Sequence, residues 1–197
     1  MSTPAADYAE AVRLLRTQTL PAYVEYTQEG DAHGIAGWRG APERVLVDVR
    51  AKKIVSITPH THDDWDSDGT ESPVTKHIFN PDCYQPTAEH RTNWNGRDAL
   101  AISVRASSSS CKEDIDVGTV YADASTRELL GADGTETDED MTVDFSVHYA
   151  RVGQYIVPAS LSAHAHGHGW LFWARERAEL RYSNYTFTDA RRQSPGL

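Results

Sequence analysis

Apolar and polar residues first recur at helical spacing and then, along most of the chain, alternate. In "STPAADYAEAVRLLRTQTLP", Tyr8, Ala11, Val12 and Leu15 share one helical face. Thr3 stands as the N-cap, Pro4 takes the first helical position, and Pro21 ends the run. The spacing predicts a helix over 4–18. From "AYVEYTQ" the period is two: Ala22, Val24 and Tyr26 face one way, Tyr23, Glu25 and Thr27 the other. "RVLVDVR" aligns Val45, Val47 and Val49, and "KKIVSIT" follows after a turn near Ala51. "DALAISVRA", "DVGTVYAD", "RELLGADG" and "TVDFSVHYA" continue the alternation, the last placing Val143, Phe145, Val147 and Tyr149 together. "GQYIVPASLSAHA" and "GWLFWARERAELRYSNYTF" read as two long strands around a Gly-His-Gly turn. Such alternation belongs to antiparallel strands with one buried and one wet face.

Two segments interrupt the pattern. Residues 59–97 hold Pro59, Pro73, Pro81 and Pro86 and read as loop, with a short helix near Pro73–Phe79. "ADGTETDEDM", at 132–141, reads as an acidic hairpin loop. No repeat or linker divides the chain, so residues 1–197 are expected to form a single domain. The fold class is α+β: a large curved antiparallel sheet, an unclosed β-barrel, packed on an N-terminal helix, with a loop-rich excursion at 59–97. A sheet of this extent must curl or be covered.

Composition narrows the partners. The formal net charge of −10 argues against a nucleic-acid backbone, which is bound through clustered Lys and Arg. An acidic surface suits a soluble protein, a cationic ligand or a bound cation. No apolar run reaches the roughly 20 residues of a membrane span. Met1 leads directly into polar "STPAADYAE" with no signal peptide, which leaves an exported protein lacking its leader as compatible as a cytoplasmic one. Cys83 and Cys111 lie in loop-like surroundings. Paired in an oxidising compartment they would contribute about 3–4 kcal/mol; two free thiols are the other reading.

The carboxy-terminal half carries a resemblance. "VGTVYADASTRELLGADG" gives a strand, an Asp-containing turn and a strand. "TVDFSVHYARVGQYIVPASLSAHAHG" follows with its Gly turn and Val-Pro, and "LFWARERAELRYSNYTF" closes as a long strand with an aromatic tail. In order and spacing, residues 115–187 resemble bacterial periplasmic proteins related to the outer-membrane lipoprotein carriers, the lipoprotein-sorting superfamily. The resemblance implies an unclosed antiparallel β-barrel wrapped over helices, an apolar cavity that shelters acyl chains, and a periplasmic or otherwise exported location. The segment at 59–97 departs from the family pattern; an insertion there would cover the cavity or replace its use.

The chemistry-bearing motifs are few. In "HTHDDWDSDGTES", Asp64, Asp66 and Asp68 with Gly69 form D-x-D-x-D-G, the opening of a calcium loop to which Thr70 would add its backbone carbonyl. Thr75 occupies the place of that loop's bidentate Glu. "HTHDDW" also resembles the His-x-His-x-Asp-His signature of metallo-β-lactamase-like hydrolases, with Trp65 where the last His belongs. That resemblance implies zinc on His60 and His62 and a second metal on Asp64. A solvated acidic turn is the plain alternative to both. His164, His166 and His168 would share one face of an extended strand, or splay at a hairpin tip. No phosphate-binding Gly loop and no G-x-S-x-G is present.

The expected function is therefore that of an exported, non-enzymatic carrier with an apolar cavity for a lipid or lipoprotein acyl chain. Val143, Phe145, Val147, Tyr149, Trp170 and Phe172 are its expected lining. It would need no cofactor and would meet membranes only through a partner. The alternative is a metal-binding protein or metal-dependent hydrolase using His60, His62 and the Asp64–Asp68 run, with calcium or zinc as its ion.

Overall fold

The computed structural model describes residues 3–33, 38–59, 72–74, 81–107, 117–138, 141–169 and 172–190. Two short helices open the chain, α1 (Pro4–Ala11) and α2 (Arg13–Thr17). Three strands follow, β1 (Tyr23–His33), β2 (Trp38–Asp48) and β3 (Lys53–Thr58). A 3₁₀ turn at Pro81–Cys83 then leads into β4 (Tyr84–Trp94), β5 (Arg97–Ala106), β6 (Val117–Asp123) and β7 (Leu129–Asp138). β8 (Met141–Val152), β9 (Tyr155–Gly169) and β10 (Phe172–Thr188) complete the order.

The helix forms where the cap and the apolar spacing place it. Thr3 Oγ1 accepts a hydrogen bond from the Ala6 N–H at 3.3 Å, and Pro4 follows the cap. The helical run is in two pieces rather than one. At Val12 the backbone relaxes to φ −90°, ψ 0°, while the Val12 N–H still donates to the Tyr8 carbonyl at 3.0 Å.

Among the described residues ten strands form one antiparallel sheet in the order β3-β2-β1-β10-β9-β8-β7-β6-β5-β4. No pairing among them closes the sheet, and β3 and β4 are its edges. From β4 to β10 the chain is a meander; β10 then pairs with β1, Val24 opposite Phe187 and Gly30 opposite Leu180. The consecutive strands β3 and β4 thus stand at opposite edges. The chain between them therefore joins the two ends of the strand order.

Three boundaries differ from the alternation pattern. The second half of the 59–97 excursion is strand, because β4 runs from Tyr84 to Trp94. Its hairpin to β5 turns at Asn95 (φ 50°) and Gly96 (φ 82°), the Asn-Gly pair that a tight hairpin favours. "ADGTETDEDM" is mostly strand, with β7 reaching Asp138 and β8 starting at Met141. The Gly-His-Gly stretch is also strand, since β9 continues to Gly169 and β10 begins at Phe172. In each case cross-strand hydrogen bonding overrides weak strand propensity in Gly, Asp and Asn. The short helix expected near Pro73–Phe79 falls mainly outside the described residues.

Candidate functional site

Side chains on the helix-covered face of the sheet build two hydrophobic clusters. The larger joins Tyr8, Ala11, Val12 and Leu15 of the helices to Leu100, Ile102 and Val104 of β5, Val120 of β6, Ala132 of β7 and Val147 of β8. The second joins Val24 and Tyr26 of β1 to Val45 and Val47 of β2, Ile54 of β3, Tyr182 of β10, and Val74 from the connection between the sheet edges. Leu161 of β9 is partly buried and packs against both clusters. The inner face thus carries two apolar clusters that meet at Leu161, one under the helices and one under Val74, with buried Gln28 and Glu43 paired across β1 and β2 as polar exceptions.

Polar contacts at the rims clasp each cover. The Tyr8 hydroxyl donates to the Pro81 carbonyl at 2.7 Å, and Arg16 Nη2 donates to the same oxygen at 3.0 Å. Arg16 also pairs with Asp82 at 2.8 Å. Gln18 bridges α2 to β9, donating to the Ile156 carbonyl and accepting from the Ile156 N–H, each at 2.9 Å. Arg127, in the β6–β7 turn, donates through Nε to Asp7 Oδ1 at 2.6 Å, and Asp7 is 5% exposed. Glu89 of β4 reaches the same place; its Oε2 is shut off from solvent. Burial, and then the Asp7 carboxylate beside it, raise the Glu89 carboxyl above the usual range, while the Arg127 cation opposes them.

A hydroxyl pair ties the second cover to β1. Tyr26 Oη and Ser72 Oγ are 3.1 Å apart, and Ser72 Oγ also accepts from the Val74 N–H at 3.2 Å. Ser72 is fully buried, and burial pushes the Tyr26 phenol up to about 12. Around Tyr26 stand Tyr182, edge-on at 5.8 Å, and Tyr185 at 5.4 Å, whose hydroxyl donates to the Pro158 carbonyl at 2.7 Å. Tyr185, Phe187 and Leu180 are only partly buried, so apolar ring surface remains open along β10.

The expected lining residues fall on this inner face where they are described. Phe145, Val147 and Tyr149 are buried in the larger cluster under the helices, and Val143 is half-buried farther along β8. Trp170 and the side chain of Phe172 lie outside the described residues. So do His60, His62, Asp64, Asp66, Asp68 and Thr70. His164 and His166 lie on the opposite, outer face of the sheet, opposite Asp144 and Thr142 of β8. His166 Nδ1 is 4.0 Å from Asp144 Oδ2, and Thr135 donates to Asp144 Oδ1 at 2.7 Å. Among the described residues no three His, Cys, Asp or Glu side chains are grouped to hold a metal ion.

No family model matches the chain, and no curated protein sequence does. Solved structures do match it. A DUF1329 family protein from Desulfovibrio piger is similar at a TM-score of 0.50 and 12% identity, over 94% of both chains. The chain shares its fold. A LolA superfamily protein from Nitrosomonas europaea is similar at 0.45 and 9% identity, over 97% of this chain and 96% of that one. A domain described as outer membrane lipoprotein-sorting from Vibrio parahaemolyticus is similar at 0.48 and 12%, over 94% and 93%. No helix among the described residues is long and apolar enough to cross a membrane.

The sequence pattern did not single out Asp7, Glu89, Arg127, Ser72 or Leu161. For most of them no local signal exists, because their partners are brought from 46 to 120 positions away. The Asn-Gly pair at 95–96 was a readable signal for β4 and hence for the place of Glu89.

Proposed function

We propose that this chain is an exported, non-enzymatic carrier that holds a lipid or a lipoprotein acyl chain against the inner face of its sheet. One observation carries the reading. The inner face carries two hydrophobic clusters that meet at Leu161, one covered by α1–α2 and the other by the Ser72–Val74 segment, each cover tied by side-chain hydrogen bonds. An acyl chain that displaced a cover would regain the same apolar contacts, at about 0.8 kcal/mol for each methylene removed from water. Few directional groups are needed for such a ligand. The resemblance of residues 115–187 to lipoprotein-sorting proteins supports the same class of cargo and an exported location.

In this reading Val143, Phe145, Val147, Tyr149, Trp170 and Phe172 contact the ligand, and no cofactor takes part. A Cys83–Cys111 disulfide accords with export. The Ser107 N–H donates to the Cys83 carbonyl at 2.8 Å, which sets the end of β5 beside Cys83 four positions before Cys111.

Native mass spectrometry of the protein taken from a cell extract tests the proposal. The expected spectrum shows the chain with a lipid-sized adduct that leaves on denaturation. Protein that carries no adduct from any extract overturns the carrier reading. A stoichiometric transition metal would instead favour a metal-binding protein or hydrolase built on His60, His62 and the Asp64–Asp68 run.

A further inference from the structure

Asp7, Glu89 and Arg127 come from three elements and meet at the rim of the helical cover. Asp7 lies in the first turn of α1, Glu89 in β4, and Arg127 in the β6–β7 turn, where its backbone takes φ 61°. Asp7 is buried and bound to Arg127, whose guanidinium also donates to the Ala124 carbonyl. One cation therefore faces two carboxyl groups. With both ionised, the cluster holds a net negative charge, which is costly where the Asp7 carboxyl and Glu89 Oε2 are shut off from water. With one proton on Glu89 the cluster is neutral, and the protonated carboxyl has a hydrogen to give its neighbour.

The other charged groups nearby are committed elsewhere. Arg16 binds Asp82, Arg91 pairs with Asp98, Arg97 with Asp123, and Arg151 with Glu128. Tyr8, the other titratable side chain on this part of α1, donates its hydroxyl to Pro81, and burial pushes that phenol well above its usual range.

We infer that the Asp7–Glu89–Arg127 cluster is a proton-gated latch that holds the helical cover shut when Glu89 carries a proton and loosens it when Glu89 ionises. The inference deepens the carrier reading, and rests on it for the cargo that the cover would admit. The sign follows from linkage. A carboxyl that binds its proton more tightly with the cover docked favours docking most at pH values below its free value of 4.5. That contribution is lost as pH rises through the higher, docked value. Opening is thus promoted by rising pH.

Hydrogen–deuterium exchange of the α1 amides across pH 4.5–8, corrected for intrinsic exchange rates, reads the latch without any ligand. Wild-type α1 is expected to lose protection with rising pH by up to about tenfold per unit, the limit for one linked proton. Glu89→Gln keeps the neutral hydrogen bond and should give a flat profile; Glu89→Ala should flatten it too. A wild-type profile that is itself flat, or Glu89 variants that follow the wild-type course, would overturn the latch. Uptake of cis-parinaric acid measured alongside separates the two claims. A pH-dependent α1 with no uptake leaves the latch standing and sinks the carrier. Uptake that is equally fast at all pH values in both proteins removes the gate.

Discussion

Gly131 shows how far a single position can be constrained by neighbours remote in sequence. A β-carbon there would lie 2.4 Å from Trp94 Cη2 and 2.5 Å from the Val147 carbonyl oxygen. Trp94 has come across from β4 to insert between Tyr121, 4.9 Å away, and His148, 4.4 Å away. The two flank Gly131 on neighbouring strands, so the indole tip occupies the space a side chain would fill. Gly131→Ala must move either backbone or indole. A loss of about 1–3 kcal/mol in urea denaturation is expected, with a changed near-ultraviolet circular dichroism signal from the disturbed ring stack. Nothing in "RELLGADG" announces this, because the indole is supplied from 37 positions upstream. The nearby Asp123 turn is the opposite case. Its carboxylate accepts from the Ser125 hydroxyl at 2.7 Å and from the Thr126 and Ser125 N–H groups, each at 3.0 Å, which together hold the acid well below its ordinary range. Asp followed by Ala-Ser-Thr is local turn chemistry, and "ADAST" reads as a turn from sequence alone.

At the level of elements, the helices are docked by packing and held by few bonds. α2 has only five residues and α1 only eight, too short to persist alone in water. Their stability is that of their docking. Tyr8→Phe deletes the donor to the Pro81 carbonyl but leaves the ring in place, and Arg16 still serves that oxygen. The expected cost is about 0.5–1.5 kcal/mol, with faster amide exchange in α1 and unchanged exchange in β6. Helical period, cap and proline were all legible in residues 3–21, as was the inward set Ala22, Val24 and Tyr26, each buried as the alternation implies. What the pattern missed were strands poor in apolar residues. β4 carries Glu89, His90, Arg91 and Asn93, and β7 ends in "GTETD"; both are placed by hydrogen bonding to a neighbour rather than by their own composition.

For the whole molecule, the decisive feature is a pair of apolar clusters on one face of the sheet, each under its own cover. Leu161 stands where the two clusters meet, half-buried and in touch with each. Leu161→Trp enlarges the side chain at that seam without disturbing either clasp. It should leave the midpoint of thermal unfolding near that of the wild type. Binding of cis-parinaric acid should weaken about tenfold, equivalent to ~1.4 kcal/mol; unchanged binding would place the ligand elsewhere. The curved one-sided sheet was readable from period-two patterning. So was the helical cover, from the amphipathic run at 4–18; the seating of Ser72 and Val74 against Tyr26 was not, because that contact is brought together across 46 positions.

The missing junction between β3 and β4 has a mechanical consequence. A closed barrel has its girth set by strand number and stagger. Among the described residues this sheet has nine strand pairings and none between β3 and β4, so small changes of twist at each pairing add up along the arc. In a carrier, such a sheet would widen or narrow like a sprung cuff and grip guests of unequal bulk with similar firmness.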